Sequence, residues 1–101
     1  MSSVGKVILI SKRFIFEDGK EESEAYFVKV LNSKDNELIA LRLDTSKEER
    51  LPPFGDDFYI EAKEGFYELE SGQTYENPDY IGEFVVYKSE EAFKKYSYKN
   101  S

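Results

Sequence analysis

Two sets of charged residues carry whatever chemistry this chain can do. Lys12, Arg13, Lys29 and Arg42 lie in or beside apolar, β-branched stretches of the first half, with Phe27 two residues before Lys29. On a strand, residues two apart share a face, so Phe27 and Lys29 point the same way. Cations that follow phosphates and a ring that stacks bases are the parts of a single-strand-binding surface, each stacked ring contributing about 1–3 kcal/mol. The second set is acidic. Asp56, Asp57, Glu61 and Glu64 surround Tyr59 in the stretch PPFGDDFYIEAKEGFYELESG, residues 52–72. Carboxylates between rings repel nucleic acid. They suit a protein partner instead, where they mimic phosphates and occupy a basic groove.

Catalysis finds little to work with. The chain has no histidine and no cysteine, which removes the commonest general base, the commonest zinc ligand and any disulfide or thiolate site. Asp56-Asp57 and Glu48-Glu49 are adjacent in sequence, so on strands the members of each pair face opposite ways. No glycine-rich phosphate loop is present. The run DNE at 35–37 does not match a calcium loop. The expectation is a protein that is not an enzyme and holds no metal or cofactor. The missing cysteine suits the cytoplasm. No apolar run approaches the roughly 18 residues of a membrane span, and the opening MSSVGKVILISKR lacks the parts of a signal peptide.

Charge is unevenly placed. Net charge is −7 over 101 residues. Residues 1–43 balance seven Lys/Arg against seven Asp/Glu, whereas residues 44–101 carry seven against fourteen. An anionic ligand would therefore prefer a surface made by the first half. Eight Phe and eight Tyr are many for this length and argue for a folded chain, since disordered segments are poor in aromatics.

The elements that must position these residues are mostly strands. Residues 4–10, VGKVILI, are apolar and β-branched. The polar triplet Ser11-Lys12-Arg13 predicts a bulge or bend before Phe14 and Phe16. Asp18-Gly19 is a hairpin signal, and SEAYFVKVL then alternates. ELIALRL makes a third strand with Ile39, Leu41 and Leu43 on one face. Pro52 and Pro53 mark a loop. Two short strands flank Glu64-Gly65, with Tyr59 facing outward between Asp57 and Glu61. SGQTYENPDYIG reads as a loop, EFVVYK as the last strand, and SEEAFKKY as a short helix capped by Ser89. This pattern predicts one all-β domain over 1–101. It would be an OB-like five-stranded barrel over about 4–88, or alternatively an SH3-like barrel, with a short C-terminal helix over about 89–96 and a disordered tail at 97–101. The expected core is Ile8, Ile10, Val28, Val30, Ile39, Leu41, Phe58 and Ile60. Aromatic and apolar residues in the loops 51–54 and 75–80 suggest a homodimer.

A resemblance adds to this. Over roughly residues 6–63, the order KVILI…EDGKEESEAYFVKVL…NELIALRLD…LPPFGDDFYIEA resembles the gene V protein family of filamentous phages, and small proteins of plasmids and conjugative elements. The likeness lies in an apolar first strand after a lysine, a Gly-Lys hairpin, a leucine-rich third strand ending in Asp, and a proline loop before an aromatic strand. It implies an OB-type fold that binds single-stranded DNA, with Lys12, Arg13 and Tyr26 or Phe27 in the binding region. The rival expectation is an acidic inhibitor or adaptor, similar in composition to phage anti-CRISPR proteins, that docks on a nucleic-acid-processing protein of the host or element. A structural protein of a phage particle is a third class. For the fold, far-ultraviolet circular dichroism is expected to show strand with less than about a third helix.

Overall fold

The β-branched run after Lys6 forms β1 (Val7–Ile15). It sits inside the sheet because both of its edges are paired. On one side it pairs antiparallel with β2 (Glu21–Lys34), and on the other it pairs parallel with β8 (Tyr80–Tyr87). The turn between β1 and β2 places Gly19 at φ 91°, a left-handed conformation that glycine adopts without steric cost. Asp35 and Asn36, at φ 52° and 61°, make the two-residue turn into β3 (Glu37–Arg42). β4 (Glu48–Leu51) completes one edge and β5 (Tyr59–Glu61), antiparallel to β8, completes the other. The order is β4-β3-β2-β1-β8-β5. A separate ribbon pairs β6 (Phe66–Glu68) with β7 (Thr74–Glu76), and α1 (Glu90–Tyr96) follows β8. This computed structural model describes residues 4–54 and 58–96. The tail expected at 97–101 lies outside the described residues.

Among the described residues the protein is all-β with one short helix, as the pattern predicts. Ser89 Oγ accepts the Ala92 N–H at 3.0 Å, which caps α1 in the expected way. The five-stranded closed barrel, OB-like or SH3-like, is not what the strands build. They form an open six-stranded sheet plus the ribbon. The physical reason is the parallel pairing of the first and last strands, Ile8 opposite Tyr80. Hairpin signals reveal neighbours in sequence and cannot reveal this one. The sheet is nevertheless strongly curled. Flat, its edge strands would stand roughly 24 Å apart. Yet the Tyr59 hydroxyl, at the start of β5, donates to the Pro52 carbonyl just beyond β4 at 2.7 Å.

Curling makes a concave face, and the main core fills it. Ile8, Ile10, Tyr26, Val28, Val30, Leu38, Ala40 and Leu51 are buried there, with Phe54, Tyr59, Tyr80 and Phe84 packed against them. Phe54 lies 5.0 Å from Tyr59 and 4.8 Å from Tyr80 between ring centres. The apolar loop surface that suggested a homodimer is thus largely covered within one chain. The opposite face also buries Val7, Ile15 and Phe27. There Phe27 meets Tyr75 of the ribbon at 5.6 Å, and α1 packs on β8 with Ala92 buried and Phe93 edge-on to Tyr87.

Four expected core residues are displaced. Ile39 and Leu41 are only half-buried, and Leu38 and Ala40 take the core positions. The turn at Asp35-Asn36 starts a register with Lys34 opposite Glu37, which if continued would set Leu41 opposite Val30. A bulge between Val30 and Asn32 shifts the pairing by one, so Ala40 stands opposite Val30 instead. One residue of slip turns a strand over. Phe58 and Ile60 are exposed and Tyr59 points inward. Gly82 stands opposite Tyr59. A Cβ on it would come within 3.0 Å of two Tyr59 ring carbons, so the ring occupies the space a side chain would take. Leu38→Ala is therefore expected to cost about 2–5 kcal/mol in urea denaturation, and Leu41→Ala less than half as much; equal losses would place both in one core.

Candidate functional site

Beyond Ile10 the concave face turns polar, and the charges gather around one ring. Lys12 on β1, Glu24 and Tyr26 on β2, and Arg42 on β3 share this face through the pairs Lys12–Glu24, Ile10–Tyr26 and Val28–Arg42. Glu49 reaches it from β4. The Tyr26 ring is fully buried. The Arg42 guanidinium carbon lies 3.7 Å from its centroid and the Lys12 ammonium 5.3 Å, so both cations sit in reach of the ring's negative face. The Tyr26 hydroxyl donates to the Glu49 carboxylate, 2.6 and 2.7 Å from its two oxygens. Lys12 pairs with the same carboxylate. Arg42 holds Asp44 through two hydrogen bonds of 2.9 and 2.7 Å and reaches Glu24 at 3.5 Å.

The electrostatics follow from this packing. Burial, then the hydrogen bond to anionic Glu49, pushes the Tyr26 phenol far above its ordinary range. Hydrogen bonding to Asp44 holds Arg42 still more firmly charged, and the same bond pulls Asp44 below the usual carboxylate range. Three carboxylates thus surround two cations, and the cluster satisfies itself. No buried side-chain polar atom among the described residues lacks a hydrogen-bond partner. Phosphates would have to compete with carboxylates already in place.

The remaining basic and aromatic candidates lie elsewhere. Arg13, Phe27 and Lys29 are on the opposite face of the sheet from Lys12 and Arg42. Arg13 pairs with Glu21 at 3.2 Å. Phe27 is 2% exposed and lies beneath Tyr75, so it offers no face to a base. Lys29 is exposed, opposite Val7 and Leu41. The structure therefore brings together two of the five expected nucleic-acid contacts, and it ties both of those to carboxylates.

The acidic candidates divide differently. Asp56 and Asp57 lie outside the described residues. Tyr59 is turned into the core, because its strand runs in the opposite parity to the expected one. Glu61 and Glu64 are exposed and line a groove with Lys6 and Asp79 below the ribbon. The ribbon itself was half hidden in the sequence, since Thr74–Glu76 reads as loop. Its matched triplets, FYE and TYE, were the available signal. They place Tyr67 opposite Tyr75 on the inner face, and Phe66, Glu68, Thr74 and Glu76 on the outer one. Sequence reasoning also missed Glu24 and Glu49, whose partners come from the three-dimensional register, and Asp44, which pairs locally with Arg42 two residues before it. Among the described residues, no group of three or more Asp or Glu is placed to hold a metal ion, and no helix is long and apolar enough to cross a membrane.

The Tyr26 cluster makes a pH prediction. A phenol whose proton is held more tightly in the folded state stabilises fully below its ordinary value of 10.0, and that contribution declines as pH rises beyond it. Urea stability should therefore fall above about pH 10, and the fall should be smaller in Tyr26→Phe, which has no proton to lose. Glu49→Ala should cost about 1–3 kcal/mol at neutral pH by stranding the buried hydroxyl. In comparisons with known proteins, no family model, no curated protein and no solved structure matches the chain.

Proposed function

We propose that this protein works in the cytoplasm by binding another protein, as an acidic inhibitor or adaptor of a nucleic-acid-processing protein, in the setting of a phage, plasmid or conjugative element. One observation carries the reading. Five cations on or beside the sheet are engaged: Lys6 with Asp79, Lys12 with Glu49, Arg13 with Glu21, Arg42 with Asp44, and Arg50 with Glu37, whereas Lys29 and Lys34 of β2 are in no ion pair among the described residues. The carboxylates around β5 and the ribbon are not. Among the described residues, Glu61, Glu64, Glu68, Glu70 and Glu76 are in no ion pair. With a net charge of −7, the unneutralised charge that the protein shows to a partner is on balance negative, which draws a basic surface and repels phosphate.

Single-stranded DNA binding, which the resemblance to gene V proteins implies, would need Lys12 and Arg42 to exchange their carboxylates for phosphates. It would also need a stacking ring other than Phe27. Fluorescence anisotropy with labelled oligothymidine at low salt separates the two readings. No binding is expected up to about 10 µM protein, a range in which even non-specific binders register. The protein should instead displace oligothymidine from one or more basic nucleases, helicases or polymerases in a panel, and a variant with Glu61, Glu64, Glu68, Glu70 and Glu76 all changed to Gln should lose that effect. Direct oligothymidine binding whose log–log salt slope is a multiple of about −0.7 would overturn the proposal. So would displacement that survives the glutamine substitutions.

A further inference from the structure

The β6–β7 ribbon has two faces of different use. Its inner face is committed to the fold. Tyr75 rests on Phe27 at 5.6 Å, and the Tyr67 hydroxyl donates to the Lys63 carbonyl at 2.7 Å. Its outer face carries Phe66, Glu68, Thr74 and Glu76, all exposed. Phe66 is 68% exposed, more than any other large apolar residue described. The other exposed phenylalanines have rings to lean on: Phe58 stacks on Phe84 and Phe93 meets Tyr87, each at 5.3 Å. Among the described residues Phe66 has no ring partner, so nothing in the packing requires a phenylalanine there.

The ribbon also holds Phe66 in a fixed place. At its base the Gly65 N–H donates to Asn77 Oδ1 at 2.7 Å and the Asn77 N–H returns to the Gly65 carbonyl at 2.8 Å. At its tip Leu69 and Gln73 pair at 2.8 Å, and the Gly72 N–H closes on the Leu69 carbonyl at 2.9 Å. A backbone held in this way loses little freedom on binding, which favours the ring it carries as an interface anchor.

We infer that the outer face of this ribbon is the docking surface of the protein, and that its partner is a protein offering an apolar pocket for Phe66 rimmed by Lys or Arg. The inference rests on the protein-binding reading above and gives it a place. Charge selects the partner. Glu68 stands beside Phe66 along its strand, Glu76 stands opposite it, and Glu64 and Glu70 flank the ribbon, with no cation paired to any of them. A second copy of the chain would bring the same carboxylates against these, and an anionic lipid surface would be repelled for the same reason. A basic rim around an apolar pocket matches both the ring and its surround.

The probe is a displayed library of random peptides, panned on the full chain. Recovered peptides should combine Lys or Arg with an apolar residue. Their affinity should fall about thirtyfold or more in Phe66→Ala, the size of an anchor's loss. Glu68→Gln with Glu76→Gln should weaken binding and flatten its salt dependence. Phe66→Ala should melt with the parent protein, since the ring supports no packing. Peptides that bind Phe66→Ala as tightly as the parent, or that lack basic residues, would overturn the ribbon as the surface and leave protein binding in place. Recovery of no peptide overturns the ribbon as well. Oligothymidine binding in the anisotropy test would overturn the protein-binding reading itself.

Discussion

Hydrogen bonding along both edges of β1 is the constraint that everything else obeys. A strand paired on both sides and covered on both faces must be apolar nearly throughout, and VILI is. β2 can follow it by a tight turn, but β8 cannot. A parallel partner has to enter from the same end, so the chain must leave β2, build β3 and β4, cross to the far edge, and return before it can pair. Asp79 marks the point of return. Its side chain accepts the Val7 N–H at 2.9 Å while its own N–H donates to the Val7 carbonyl at 2.8 Å. This reciprocal clamp fixes where β8 begins relative to β1, and so which residues of β8 face the core.

The same strand decides where charge gathers. Past Ile10 the concave face is no longer roofed by Phe54 and Tyr80, and the next inward residue on β1 is Lys12. Tyr26 stands opposite Ile10 at this boundary. Its ring completes the apolar layer while its hydroxyl and ring face receive Glu49, Lys12 and Arg42. A phenylalanine there would fill the layer but leave the Glu49 carboxylate one donor poorer. The cluster therefore seals the open end of the core with paired charges, and this use of Lys12 and Arg42 is what removes them from a surface role.

Much of this was legible in the sequence and some was not, for particular reasons. Alternation in SEAYFVKVL correctly separates Tyr26, Val28 and Val30 from Phe27, and the cap of α1 could be read from Ser89. Alternation in ELIALRL gives two equivalent choices of face. The unbroken hairpin register favours Ile39 and Leu41, and only the bulge after Val30 selects Leu38 and Ala40. In FYI the choice depends on Gly82, more than twenty residues away, whose missing side chain admits Tyr59. The basic candidates were placed correctly on strands, yet their function could not be read, because Glu24 and Glu49 become partners of Arg42 and Lys12 only when the sheet assembles. Charge counted along a chain says nothing about which charges are already paired.

This last point explains why the two halves of the chain behave differently despite similar secondary structure. In the first half Lys12, Arg13 and Arg42 each meet a carboxylate while, among the described residues, Lys29 and Lys34 do not, and the charges of that half balance. In the second half the strands other than β8 are short and lie at an edge or in the ribbon, where few neighbours are available to pair with. Three-residue strands cannot bury much, and their outward positions are released from packing. Folding requires Tyr67 and Tyr75 to face the sheet, and by alternation that requirement sends Phe66, Glu68 and Glu76 outward. Nothing in the fold then needs those positions to be an aromatic ring between two carboxylates rather than small polar residues. A rigid ribbon whose inner face is fixed by the core and whose outer face is left to other demands is a place where binding can be built without disturbing stability.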